Sequence, residues 1–455
     1  MKLWKIIKEK MLQHPSQKVC EGESKLTYEE LVVFAEQFAK RLKGVNCCAI
    51  LCRAEMSAAM ALLSCFAAEV TAVPLSQRYG ELHCNKILDT VSPDAVITDQ
   101  DGELRILELT DSKYIPPKQK PALIMCTSGT SGTPKGVMLT ENNIISNVKD
   151  IAAYFGMDST DSILIARPLY HCAVLTGEFL TALFKGVKIR FCSGIFNPAV
   201  ILNMLSVHKI TAFCGTPTLL GMMARIKRGD VEVFLRHICV SGECMGEEVG
   251  KRIADAFPDT NIYHIYGLTE ACPRVSYLPP KYFRRYPDCV GVPLKSVSLK
   301  IVKEDGNIAK TNEIGVLWVK GDNVMVGYYN NPKKTKSVLK RGWLCTGDLA
   351  LINEMGFLKI KGRNDDLIIK AGMNIYPQEI ENAVKRDSRV HEVFVCGEND
   401  TKFGTQIVMN IVGDFDSVNE VKTLCLECLP AYQIPSKINL LPELNKNGSG
   451  KIIRR

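Results

Sequence analysis

The chain has 455 residues, 46% hydrophobic and 23% charged, with a formal net charge of +8. This composition excludes disordered, collagen-like and coiled-coil proteins, and the length excludes a single small domain. The positive charge is spread along the chain, which suits anionic small molecules or an acidic protein partner. It lacks the clustered basic face that nucleic acid needs.

The N-terminal segment MKLWKIIKEKMLQ alternates charge with apolar residues as an amphipathic helix does. Thr27 and Glu30 read as a capping-type start for a helix over 32–42. A buried strand is expected over 45–52, a helix over 58–68 and a strand over 70–75. The nearly apolar run 56–68 stops at Glu69, too short to span a bilayer. Beyond an apolar strand over 122–125, the same alternation recurs. Helices are expected over 141–155, 176–184 and 198–208, with strands over 162–166, 188–192 and 212–214. Strand alternating with helix predicts βαβ units and a parallel sheet.

From residue 285 the texture changes to short strands over 297–303, 315–320, 350–353 and 358–360, set between Gly, Asn and Asp turns. That predicts a smaller β-rich subdomain. The polar run 362–366 marks a hinge, and the residues after it suffice for a compact α+β unit. Eighteen cysteines in so long a chain fall below the density of a disulfide scaffold, and Cys65, Cys214 and Cys239 sit in apolar runs. No signal peptide precedes them, so a cytoplasmic, reduced protein is expected. Cys425 and Cys428 form one CxxC in a helical-looking stretch, without the second pair or His cluster of a zinc site.

Four local clusters carry chemistry. The first, CTSGTSGTPKG over 126–136, packs three glycines and five hydroxyls into eleven residues after an apolar strand. Its N–H and O–H donors, with Lys135 as a point charge, can wrap polyphosphate oxygens. It is not a Walker A loop, because Lys135 follows Pro134. A flexible Ser/Thr/Gly turn is the plain alternative. The second, Tyr266-Gly267-Leu268-Thr269-Glu270, follows a strand over 261–265, where open α/β sheets bind ligands. The third ends in Thr346-Gly347-Asp348, an Asp in a Gly turn that could accept two ribose hydroxyls or form an Asx turn. The fourth, Asn447-Gly448-Ser449-Gly450-Lys451, puts a lysine on a Gly-rich tip, either to deliver charge or as a solvated tail.

Further motifs appear among these clusters in order. They are Leu26-Thr27-Tyr28, Val73-Pro74-Leu75, Pro168-Leu169-Tyr170-His171, GVLWV over 315–319, GRNDD over 362–366 and GMNIYPQEIE over 372–381. As a set they resemble the adenylate-forming superfamily of acyl- and aryl-CoA synthetases, peptide-synthetase adenylation domains and luciferases, over nearly the whole chain. The resemblance implies an α/β fold with a large N-terminal domain of stacked αβ layers over 1–364, including the β-rich subdomain. A small mobile α+β domain over 366–455 would follow, hinged at Asp365.

It further implies that a carboxylic acid and ATP give an acyl-adenylate with Mg²⁺, and that the acyl group passes to CoA or to carrier-protein phosphopantetheine. Thr127, Ser128, Gly129, Thr130, Ser131, Gly132 and Lys135 would hold phosphates. Thr269 would donate to the α-phosphate, Glu270 would hold Mg²⁺, and Lys451 would bridge the carboxylate and the α-phosphate. Asp348 with Arg363 would take the ribose, Tyr266 with Gly267 would meet the adenine, and Gly372 would line the thiol tunnel.

His171 matches the family's pocket-gating residue. Cys172, Val174, Thr176, Cys214, Gly242 and Cys272 are expected to line a mainly apolar acid pocket. Cys172 stands where amino-acid-activating relatives carry Asp, and a buried ammonium without a carboxylate would be costly. An aliphatic or aryl acid without an α-amine is therefore expected. Ser241-Gly242-Glu243-Cys244-Met245 resembles the form common in amino-acid adenylation domains, which keeps loading of a carrier protein as an alternative. A catalytically silent nucleotide-binding protein is the alternative of another class.

Overall fold

The computed structural model describes residues 2–76, 80–100, 102–109, 112–127, 134–192, 197–227, 231–370, 373–400, 404–445 and 452. Among them, local sequence chemistry sets the first elements. Leu3, Ile7 and Met11 recur every four residues and are the buried stripe of the helix Leu3–Met11. The capping pair Thr27 and Glu30 starts its helix earlier than expected, at Tyr28–Ala39. Thr27 accepts from the Glu30 amide at 3.2 Å, and the Glu30 carboxylate takes the Thr27 amide at 2.7 Å. The strand expected over 45–52 is Cys47–Ile50, followed by the helix Glu55–Ala67 and the strand Thr71–Pro74.

Two large sheets share one hydrophobic core, which runs from Leu3 through Phe66, Ile144 and Phe179 to Leu344. In the first, Ala212–Gly215, His237–Val240 and Asn261–Gly267 run parallel side by side. In the second, Cys47–Ile50 lies between the parallel strands Thr71–Pro74 and Ala95–Gln100, and the hairpin Leu123–Thr127/Lys135–Leu139 extends it. The expected βαβ units are thus present, with antiparallel strands added at the edges. The β-rich unit is an antiparallel sheet of Val297–Val302, Gly315–Gly321, Trp343–Ile352 and Leu358–Arg363.

Past the turn Asn364–Asp366, the strands Val390–Asp400, Gly404–Gly413 and Lys437–Leu440 pack with the helices Pro377–Val384 and Val418–Cys428. Their core is their own, built around Ile380, Val393, Met409 and Cys425. Cys425 is buried there with its sulfur 4.0 Å from Met409 Sδ, so this half of the CxxC packs as a small hydrophobe. No helix among the described residues is long and apolar enough to cross a membrane.

Two elements differ in detail from expectation. The helix expected over 176–184 is a wide π-turn, Leu175–Leu180, running into Thr181–Lys185. Also, the strand expected over 350–353 is the C-terminal part of the ten-residue Trp343–Ile352. Asp348 is therefore a strand residue rather than part of a turn. Gly347, at φ +74°, supplies the local kink, and the Asp348 amide donates to Thr346 Oγ1 at 3.0 Å.

Candidate active site

Ala212–Gly215, His237–Val240 and Asn261–Gly267 end on one edge of the first sheet. The residues just past those ends are Thr216, then Ser241 and Gly242, then Leu268, Thr269 and Glu270. An open α/β sheet gathers its ligand at that edge. Gly267 makes the turn possible, since a Cβ there would lie 2.1 Å from the Pro273 carbonyl oxygen. Thr269 and Glu270 sit on the short turn Thr269–Ala271.

Above this edge opens a cleft of about 770 Å³. One wall is the hairpin that pairs Thr127 with Lys135. Ser128, Gly129, Thr130, Ser131 and Gly132, which connect them, lie outside the described residues, as do Gly372 and Lys451. A second wall pairs Asp348 with Arg363 across Trp343–Ile352 and Leu358–Arg363. Arg363 Nη1 donates to Asp348 Oδ1 at 3.0 Å and to the Thr346 carbonyl at 3.2 Å. The Tyr266 hydroxyl donates to Asp348 Oδ2. Asp365 also lines the cleft, and Gln378, Asn382, Lys385 and Ile452 close it from the C-terminal unit.

The lining sets the cations Lys135, Lys334, Arg363 and Lys385 among carboxylates that include Glu270, Asp348 and Asp365. Burial lowers the Lys135 pKa, and repulsion from Lys334 and Arg363 lowers it further, against the pull of Glu270 and Asp365. A cleft that strains its own ammonium group suits a polyanion. Burial and the adjacent Asp348 push the Tyr266 phenol well above its ordinary value, so it remains a donor. Burial works against the charge on Arg363, but Asp348, Tyr266 and Glu270 together outweigh it and the pKa rises. Glu270 accepts from the Tyr328 hydroxyl at 2.8 Å, and its carbonyl accepts from the Met325 amide at 2.9 Å. A fixed carboxylate among cations is the oxygen donor that Mg²⁺ takes together with phosphates.

Lys334 and Tyr328 were not singled out in the sequence. Their signal was present in Gly327-Tyr328-Tyr329 and in Asn331-Pro332, where Asn331 caps the helix Pro332–Val338 that carries Lys334.

Of the expected acid-pocket residues, Gly242 lines this cleft. His171 precedes the turn Cys172–Val174, its ring 4.1 Å from that of Tyr170. Thr176 Oγ1 donates to the carbonyls of Cys172 at 2.9 Å and Cys272 at 3.0 Å, joining three of the expected positions. Val174 and Cys214 are fully buried. Gly242, at φ +102°, faces Arg167, whose Nη1 would be 3.9 Å from a Cβ there.

Charged side chains are buried next to these positions. Arg167 Nη2 and Glu178 Oε1 form an ion pair at 2.6 Å, and the pair is 8% and 0% exposed. Arg274 is buried against Gly177, the residue before Glu178. These residues escaped notice because each is a lone charge in an apolar run, and one sequence does not say which way such a charge points. Glu243 is occupied elsewhere: its carboxylate accepts from Thr218 Oγ1 at 2.7 Å, in the first turn of Pro217–Ile226.

The profile described as AMP-binding enzyme matches residues 7–329, and that of the AMP-binding enzyme C-terminal domain matches 379–451. The chain belongs to the AMP-binding enzyme family. It is 34% identical over 345 residues to a long-chain-fatty-acid–CoA ligase of Haemophilus influenzae, covering 73% of this chain and 61% of that one. The match thus spans about three fifths of such curated relatives.

Among solved structures, the fold is similar to o-succinylbenzoate CoA synthetase of Bacillus subtilis in complex with its acyl-adenylate. The TM-score is 0.86 at 27% identity, covering 100% of this chain and 97% of that one. The same enzyme with ATP and magnesium gives a TM-score of 0.85 at 27% identity, covering 99% and 98%. The α/β architecture, with large N-terminal and small C-terminal parts, is that of these family members.

Proposed function

We propose that the protein is an ATP-dependent, AMP-forming acid–thiol ligase that activates a carboxylic acid without an α-amine and passes it to CoA. One observation carries this reading. Lys135, Glu270 and the Tyr266–Asp348–Arg363 trio, from four separate stretches of chain, line a single cleft at a sheet's ligand edge. The relatives named as CoA ligases, and the one solved with an acyl-adenylate, support it.

A carboxylate oxygen of the acid attacks the α-phosphorus of ATP, and the bond to pyrophosphate breaks. Two anions meet in that step, so cations must offset the repulsion. Lys135 and the hydroxyl-rich loop neutralise the outer phosphates, and Thr269 donates to the α-phosphate. Lys451 spans the carboxylate and that phosphate as a compact charge. Asp348, held by Tyr266 and Arg363, accepts the ribose hydroxyls. Glu270 supplies a carboxylate to Mg²⁺, which neutralises phosphate charge when bound. In the second step the thiol sulfur attacks the acyl carbon, AMP leaves, and the thiol proton goes to solvent.

Rotation of the C-terminal part about Asp365 exchanges Lys451 for the segment near Gly372. The Glu243 motif that resembles carrier-loading enzymes has a local explanation in its contact with Thr218, so CoA is the acceptor proposed. Acid-dependent exchange of pyrophosphate into ATP, across aliphatic acids, aryl acids and amino acids, tests the reading. Exchange with an acid lacking an amine, followed by thioester formation with CoA, is the expected result. Nucleotide binding with no exchange for any acid would leave only the silent nucleotide-binding protein.

A further inference from the structure

Arg274 is 1% exposed, and its Nε, Nη1 and Nη2 have no hydrogen-bond partner in the protein. Its guanidinium has five N–H donors and stays charged, so this is an expensive group to bury unpaired. Gly177 approaches it so closely that a Cβ there would stand 2.8 Å from Nε. The adjacent Glu178 attracts the charge but makes no hydrogen bond to it. One of its oxygens is taken by Arg167 at 2.6 Å, and the other has no hydrogen-bond partner. Among the described residues here, two guanidiniums therefore face one carboxylate. The Tyr154 hydroxyl beside them is also unpartnered, and burial holds it in the neutral form.

The cluster borders the cleft through Arg167, which packs near the lining residue Gly242. Gly177 and Glu178 directly follow Thr176, which ties Cys172 to Cys272. The excess positive charge repels an ammonium group, and a planar fork of donors without partners in the protein matches the geometry of an oxyanion.

We infer that Arg274 is a specificity-determining residue that pairs with a second carboxylate at the far end of the acid, making the substrate a dicarboxylic acid. This rests on the ligase reading above. The test uses matched pairs, a monocarboxylic acid and the α,ω-dicarboxylic acid of equal chain length, in pyrophosphate exchange with the full chain. Wild type should favour the dicarboxylic member at its best length by about tenfold or more in kcat/KM. Arg274→Met, similar in length and uncharged, should lose that preference and use the monocarboxylic member at least as well. If this variant fails to melt cooperatively, the wild-type preference alone decides. A wild-type preference for monocarboxylic acids at every length, or an unchanged ratio in a folded Arg274→Met, overturns the inference. Exchange with no acid removes the ligase reading itself, and this inference with it.

Discussion

Asp348 shows how one side chain can be readable while its setting is not. Its place in a glycine-flanked motif was visible, but its partner Tyr266 is 82 residues away in the chain. That link exists only because two sheets meet at the cleft. Arg363 closes the other side at 3.0 Å. A hydrogen bond to a charged group contributes about 1.5–3 kcal/mol. Tyr266→Phe should therefore raise the KM for ATP by about tenfold, and Asp348→Asn by more, with kcat falling less. Initial-rate exchange at varied ATP checks this. An unchanged KM in both variants would remove the ribose role. Arg274 and Glu178 were unreadable for the opposite reason: their chemistry is strong, but nothing local marks them as inward.

At the scale of elements, caps and alternation were readable, because Thr27–Glu30 and the repeated strand–helix order act over a few residues. The extent of Trp343–Ile352 was not. Its glycine suggested a turn, whereas pairing with both Gly315–Gly321 and Leu358–Arg363 holds it as a strand. The turn after Asn261–Gly267 gives a sharper test. Gly267→Ala would drive a methyl group to 2.1 Å from the Pro273 carbonyl, so backbone must shift under Thr269 and Glu270. Overpacking of this kind costs about 1–3 kcal/mol. Exchange activity should fall by about a hundredfold while thermal melting stays cooperative and drops by several degrees. Full activity in this variant would show that the turn tolerates the shift.

For the whole molecule, the order of motifs made the architecture readable: Leu26-Thr27-Tyr28 and Val73-Pro74-Leu75 lie at strand ends, Tyr266 and Gly267 end Asn261–Gly267, and GVLWV is the body of Gly315–Gly321. Motif order says nothing of how the C-terminal unit seats. That unit has its own core and meets the cleft mostly through polar groups, with Val393 and Ile452 beside them. Lys361 pairs with Glu379 at 2.8 Å, and Arg225 Nη2 donates to the Val390 carbonyl at 3.2 Å. Polar seams of this kind permit domain movement. If Lys451 serves only the first half-reaction, Lys451→Ala should cut exchange by at least a thousandfold yet spare thioester formation from supplied acyl-adenylate. Equal loss of both half-reactions would argue against alternation of the two faces.

The wide turn at Leu175–Leu180 puts the segments before and after it out of phase. An ordinary helix advances about 100° per residue, and a π-turn takes up one residue more than that spacing allows. Cys172 and Ala182 therefore do not share the angular relation that simple counting gives. Length variation at this turn, by a single residue, would redirect Glu178 and its neighbours as a block, something no exchange of one side chain for another could do.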